Sequence, residues 1–556
     1  MSFFHYIRDG GFLQEAGIQK CLDIQAKDRS CTFYTAIKTS DLMKEEQLLL
    51  LAVEYFKLLR IQNPYNTAVD YAATEKVMGD VIGASKQKSF AVHINGELAF
   101  VLSDPENESH KNRVRSLLGD KVKFAIISDE EFAIINRYKL LPRAVYEQAN
   151  RIKKTSAAQT PTATHKADIE SYTNKLLDMM IHAALDRRAS DLHLQKINDE
   201  KARILLRVDG KIYHFSDVSA DVLPNLRNIL KSKAKVGGEN NDKPVEGQIE
   251  VEHDGVKIFI RVNIIHTTNG YDFCLRFLDT HLKELDELGL SDINYKHYLR
   301  LLHMTKGLVI LCGPTGSGKT SLLYAGFKQI QSEGERLIET VEDPVEIKMT
   351  GITQMDIKDE KDMKYEDAIP SILRHDPDVI GVGEIRTMEV GMEAIRASDT
   401  GHLVFTTLHA NDSLGAISRL TNMGISPYIV GNVLAAVVAQ RLIRRVCTEC
   451  AEEYELPADH VWRKRYQLGD GKVILKKGCG CAACAGTGYK GRLAVDEFLM
   501  TTPEIRDVIQ KNGTRTELET KLRETDFKTY IQDAIDKARA GITTFDEVDE
   551  LYQDLI

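Results

Sequence analysis

GLVILCGPTGSGKTSLLYAG, residues 307–326, joins an apolar run, a glycine-rich turn, a lysine and a helical pattern in one short stretch. Residues 307–312 read as a buried strand, and SLLYAGFKQIQ carries the apolar spacing of a helix. Between them GPTGSGKT, Gly313 to Thr320, fits the phosphate-loop spacing GxxxxGK[ST] in its required strand–loop–helix setting. Glycines allow backbone N–H groups to turn inward around phosphate oxygens, at a helix N-terminus whose dipole favours anions. The expected triphosphate contacts are Gly313, Pro314, Thr315, Gly316, Ser317, Gly318, Lys319, Thr320 and Ser321. Lys319 is placed to reach the β- and γ-phosphates, and the Thr320 hydroxyl to ligate Mg2+.

Hydrolysis needs more than a phosphate grip, and two carboxylate clusters lie downstream. ETVEDPVE supplies Glu342, Asp343 and Glu346 at the end of an apolar strand; DVIGVGE delivers Glu384 at the tip of another. The ends of parallel strands are where such sheets present functional groups. Carboxylates there hold the water shell of Mg2+ or orient an attacking water. Glu342, Asp343 and Glu384 are the expected magnesium group alongside Thr320, with Glu346 and Glu384 as catalytic candidates. TGHLVFTTLH then puts His402 and His409 at opposite ends of a further strand, where either histidine serves catalysis or structure.

Around this segment the chain reads as several modules, as 556 residues predict. Residues 1–150 alternate helical and strand patterns, a small α+β docking or regulatory domain. KEEQLLLLAVEYFKLLRIQ (44–62) has helical spacing, and Asn95-Gly96 joins two short strands as a hairpin. Residues 151–168 are rich in Ser, Thr, Ala and Lys and read as a linker. A mixed α/β middle domain of PAS-like α+β type is expected over 169–280, a hinge over 281–292, and from 293 an α/β domain with a parallel sheet covered on both faces. Its tail, 500–556, is helical and charged.

Composition narrows the function. A net charge of −9 argues against a chain whose task is to coat nucleic acid. No apolar run reaches the roughly 18 residues of a membrane span; the nearest, YIVGNVLAAVVAQRLI (428–443), is interrupted by Asn432 and ends in arginines. The N-terminus has no secretory pattern, so a cytoplasmic location is expected. Five of nine cysteines fall within 447–484. CTEC and CAAC form two C-x2-C pairs with the spacing of a closed, structural Zn2+ site, with Cys479 close by.

The order of the blocks carries a family resemblance. GPTGSGKT, TVEDPVE, LRHDPDVIGVGEIR and TGHLVFTTLHAND resemble the Walker A, aspartate box, Walker B and histidine box of the GspE/PilB/PilT secretion ATPases, which serve type II secretion and type IV pili. ASDLHLQ (189–195), LRVDG (206–210) and IRVNIIHTTNGYDFCLRF resemble the family's middle domain. The resemblance implies a RecA-like P-loop ATPase fold, ATP with Mg2+ as cofactor, and a hexameric ring. It further implies Arg261 and Arg276 as arginines facing the nucleotide, and catalytic roles for His402 and His409. GYKGR after the second cysteine pair resembles the family's GYxGR, which selects Cys447, Cys450, Cys481 and Cys484 as the zinc ligands and leaves Cys479 spare. The zinc module and the N-terminal domain together imply the assembly and secretion branch, with an inner-membrane platform protein as partner, peripheral membrane association, and no nucleic acid. Thr387, Gln195 and NDKPVEGQI depart from the family's usual residues. The competing expectations are a conjugation-type or DNA-translocating ring ATPase, for which QRLIRRVC (440–447) is the only compact basic stretch near the motor motifs, and a nucleotide-dependent scaffold with little turnover.

Overall fold

A computed structural model describes residues 2–61, 64, 65, 67–156, 163–236, 244–278, 282–357 and 364–553. They form two compact units, one built mainly of residues before 279 and the other mainly of those after 280.

The first unit carries two sheets. One pairs β1 (Leu59–Arg60), β2 (Ala68–Val69), β3 (Phe90–Ile94), β4 (Glu97–Val101) and β5 (Lys123–Ile126) in the order β1-β5-β4-β3-β2. The β3–β4 hairpin turns on Asn95 and Gly96, at φ 52° and 82°, the left-handed pair that a two-residue hairpin demands. The helix expected over 44–62 is shorter. It spans Glu45–Phe56 and stops at Lys57, which is left-handed, so that Leu59 and Arg60 can pair with β5; residue 62 lies outside the described residues.

The second sheet of this unit is antiparallel: β6 (Ala189–Lys196), β7 (Lys201–Val208), β8 (Lys211–Ser219), β9 (Val245–His253), β10 (Val256–Thr267) and β11 (Gly270–Leu278), in the order β8-β7-β6-β11-β10-β9. Alternate residues such as Leu192, Leu194, Ile204, Leu206, Val262 and Leu275 bury one face, as a period of two requires. Helices Leu141–Ser156 and Ala163–Asp186 pack Val145, Ala149, Leu176 and Ile181 into that core. The linker expected over 151–168 is therefore helical at both ends, and its residues 157–162 lie outside the described residues. Apolar spacing in these two helices outweighs the Ser/Thr/Ala composition that suggested a linker.

The second unit is a seven-stranded sheet of β12 (Gly307–Cys312), β13 (Ile338–Glu342), β14 (Thr353–Asp356), β15 (Val379–Glu384), β16 (Leu403–Leu408), β17 (Leu434–Val446) and β20 (Tyr489–Met500), in the order β14-β13-β15-β16-β12-β17-β20. All pairs are parallel except β17–β20. A small ribbon, β18 (Ala451–Glu455) with β19 (Ile474–Gly478), completes the strands. β12 and β16 are buried at every position, and separate apolar clusters cover the two faces. That is why these strands read as unbroken apolar runs. YIVGNVLAAVVAQRLI divides into helix Pro427–Val433 and then β17. The hinge expected over 281–292 contains a turn, Leu285–Leu288, that buries its two leucines and is closed by a capping box between Glu284 and Glu287, while residue 281 lies outside the described residues. Helices Pro503–Gln510, Arg515–Leu522, Tyr530–Arg539 and Phe545–Gln553 form the tail.

Candidate active site

The phosphate loop joins β12 to the helix Lys319–Glu333. Gly313 and Gly318 have φ of 151° and 91°, and β17 comes up directly beneath them. A Cβ on Gly313 would meet the Gln440 carbonyl and Ser317 Oγ at 2.6 Å each; one on Gly318 would meet Gln440 Nε2 at 2.9 Å. Both positions thus need glycine for space as well as for backbone freedom. The Lys319 ammonium donates to the carbonyls of Gly313 and Pro314 at 2.8 and 2.9 Å. Burial lowers its pKa, opposed by the Glu384 and Glu346 carboxylates, which places both acids within electrostatic reach of the amine.

Across the sheet edge the functional groups follow the strand order. His409, just past β16, sits with Nε2 3.2 Å from Glu384 at the tip of β15. Glu384 also pairs with Arg386, whose guanidinium stands 3.6 Å from Asp343 beyond β13. Glu346 is exposed on the loop that follows. Lys319, Glu384, His409, Asp343 and Glu346 thus converge around the C-terminal ends of β12, β16, β15 and β13.

Two expected members are elsewhere. Glu342, expected on magnesium, is turned into the fold: it accepts hydrogen bonds from Tyr324 Oη, from Thr340 Oγ1 at 2.6 Å and from Gln354 Nε2 at 3.1 Å. A carboxylate so occupied has little capacity left for a metal, and the alternation along β13 that projects Asp343 outward is what turns Glu342 in. His402 precedes β16, at the end of that strand opposite His409, and its Nδ1 lies 3.0 Å from the Ala397 carbonyl and 3.2 Å from Thr400 Oγ1. Six strand residues, about 20 Å, separate it from Glu384 in the same chain.

Arg261 and Arg276 belong to the other unit, where they are directly paired across β10 and β11. The row continues through Asp191 on β6 to Arg207 on β7. Arg276 Nε lies 2.8 Å and Arg207 Nε 3.5 Å from Asp191. Burial pushes the Asp191 carboxyl up, but hydrogen bonds from Arg276 and Ser190 outweigh it and hold the group below its ordinary range. Arg261 also lies 3.7 Å from Glu246, so three arginines and two acids on this sheet face leave a stripe with one excess positive charge.

Sequence reading missed Arg386 and the pair beneath the loop, Gln440 and Arg441. Arg441 is 8% exposed, donates to the Gln440 and Asn411 carbonyls at 3.0 and 2.6 Å, and lies over the Tyr530 ring. It ties the base of the phosphate loop to the segment after His409. The only available signal was its place in QRLIRRVC.

The Sγ atoms of Cys447, Cys450, Cys481 and Cys484 lie within 4.8 Å of one another. Cys481 Sγ and Cys484 Sγ are 3.7 Å apart, and the Cys481 N–H donates to Cys484 Sγ at 3.1 Å. Thiolates on a tetrahedral Zn2+ with bonds near 2.3 Å are separated by about 3.8 Å, so the donor set fits that ion. Cys479 is exposed and outside the group.

A phosphate loop on a RecA-like sheet, with an acid and a histidine at the neighbouring strand tips, defines an ATP-hydrolysing class. The fold is shared with the ATPase DotB of Legionella pneumophila, at a TM-score of 0.52 and 21% identity, over 68% of this chain and 96% of that one. Residues 166–550 match the family described as Type II/IV secretion system protein. The chain belongs to that family and is an ATP hydrolase. Type II secretion system ATPase E of Vibrio cholerae is 36% identical over 377 residues, covering 67% of this chain and 74% of the relative. Type IV pilus assembly ATPase PilB of Pseudomonas aeruginosa is 30% identical over 473 residues, 83% of each chain.

Proposed function

We propose that the chain is a cytoplasmic ATPase that works as a hexameric ring and couples ATP hydrolysis to assembly of a type IV pilus or a type II secretion pseudopilus. Force passes through an inner-membrane platform protein, with the ring held peripherally at the membrane. The observation that carries this reading is the division of charge between the units: the phosphate loop with Glu384 and His409 on one, the arginine stripe of Arg261 and Arg276 on the other. Positive charge brought onto a γ-phosphate by closure stabilises the transition state only in the closed arrangement, and this makes turnover depend on movement.

In this reading Gly313 to Ser321 wrap the phosphates, Lys319 bridges the β- and γ-groups, and Glu384, assisted by Glu346, orients water. Thr320, Asp343 and Glu384 would hold Mg2+, which when bound neutralises charge developing on the phosphates. His409 fixes Glu384. The four cysteines would hold a structural Zn2+. The overall acidity of the chain favours a protein rather than a nucleic-acid track. The test is light scattering with and without Mg·ATP alongside phosphate release. A six-chain particle that hydrolyses ATP, and does so faster with membranes containing the platform protein, is expected. A monomer that turns over equally well would overturn it.

A further inference from the structure

Strands β6 and β11 of the first unit run antiparallel, with His193 directly opposite Cys274 and Asp191 directly opposite Arg276. Residues two apart on a strand share a face, so Asp191, His193 and Cys274 stand together, while Leu192, Leu194 and Leu275 are buried on the other face. One carboxylate oxygen of Asp191, one ring nitrogen of His193 and the Cys274 sulfur lie within 4.8 Å of one another. Asp191 is buried, the other two are half-buried, and Cys274 forms no disulfide. His193 Nε2 is enclosed by protein and has no hydrogen-bond partner among the described residues.

An oxygen, a nitrogen and a sulfur donor on one small patch select the ion that would join them. Mg2+ and Ca2+ take oxygen ligands; borderline transition ions, Zn2+ foremost, accept carboxylate, imidazole and thiolate alike. Bonds of about 2.0–2.3 Å to a tetrahedral ion put its donors about 3.3–3.8 Å apart. The ion then fills the gap between the donors themselves, and no water-sized cavity is called for. Paired strands hold the three Cα positions, so the donors close in by side-chain rotation. Asp191 already has Arg276 Nε at 2.8 Å, Arg207 Nε at 3.5 Å and the Ser190 hydroxyl at 2.8 Å. A carboxylate offers about four lone-pair sites, so it can keep these partners and accept an ion as well. Thiolate and carboxylate together cancel the charge of a dication, which limits its repulsion by the two guanidiniums.

We propose that Asp191, His193 and Cys274 form a metal site, separate from the four-cysteine group, that takes Zn2+ or a similar borderline divalent ion. Binding expels the Cys274 proton to solvent, because the ligand is the thiolate.

The test is elemental analysis of the full-length protein after dialysis against micromolar Zn2+ and removal of the excess. The parent is expected to carry one zinc ion per chain more than Cys274→Ala and more than His193→Gln. Without added Zn2+ both variants should melt within about 2 °C of the parent, since neither change opens an apolar core. A parent that holds no more zinc than the variants overturns the proposal, because any zinc they share lies elsewhere. Should a variant fail to fold, the parent alone decides. Alkylation of Cys274, followed by peptide mass spectrometry, should be at least about tenfold slower with added Zn2+ than after exhaustive dialysis into zinc-free buffer, which a closed four-thiolate site survives. Equal rates overturn the assignment.

Discussion

Lys319 and the two histidines show how far single residues can be read. Lys319→Ala removes the charge that meets both outer phosphates, and phosphate release is expected to drop by at least about a thousandfold. The histidines should part company. His409→Ala frees Glu384 and is expected to lower kcat tenfold or more, whereas His402→Ala leaves kcat within about threefold and lowers the melting temperature instead. Steady-state rates and melting curves on the two variants decide it. The phosphate loop was legible because each of its residue types answers to one physical demand at one spacing. The histidine strand was not, because its two ends look alike until the parallel sheet fixes which end meets the loop.

At the scale of elements, the long strand β20 carries a second titratable feature. Asp496 is fully buried between Asp533 and Lys537, and neither carboxylate oxygen has a hydrogen bond among the described residues. Burial, helped by Asp533 and opposed by Lys537, pushes its pKa from the ordinary 3.8 up to about 8. A raised folded-state value means the native protein keeps the proton that the unfolded chain releases. The stabilisation is complete below about pH 4 and is lost progressively as pH climbs through 8. Asp496→Asn should remove this slope, melting higher than the parent at pH 8.5 and little differently at pH 4, in thermal scans across that range. The cysteine element makes a separate demand. Replacing Cys447 and Cys481 by Ser is expected to abolish zinc in elemental analysis and lower the melting temperature by several degrees, because binding to such sites feeds directly into folding free energy. The C-x2-C spacing made this loop readable. Composition misled over 151–156 and 163–168, where the apolar periods of two helices decide the structure.

At the scale of the whole molecule the question is why the arginines stand on a unit that holds no phosphate loop. Arg276→Ala takes away half of the adjacent β10–β11 pair and leaves nucleotide contacts of the loop untouched. Turnover of the assembled protein is expected to fall at least tenfold with the affinity for an ATP analogue changed by less than threefold, checked by calorimetry and phosphate release. The α/β character of the second unit followed from its apolar strands. The arginine stripe needed the antiparallel register, because Arg207, Asp191, Arg276 and Arg261 are scattered between positions 191 and 276 and meet only when four strands align.

β17 runs for thirteen residues, Leu434–Val446, and its last seven lead from Gln440 beneath the phosphate loop to an end one step before Cys447. A bonded strand of those seven residues spans about 20 Å and resists stretching along its axis. A displacement of the loop floor at Gln440 would travel along this strand toward the cysteine cluster, through the break in pairing with β20 between Arg444 and Val446.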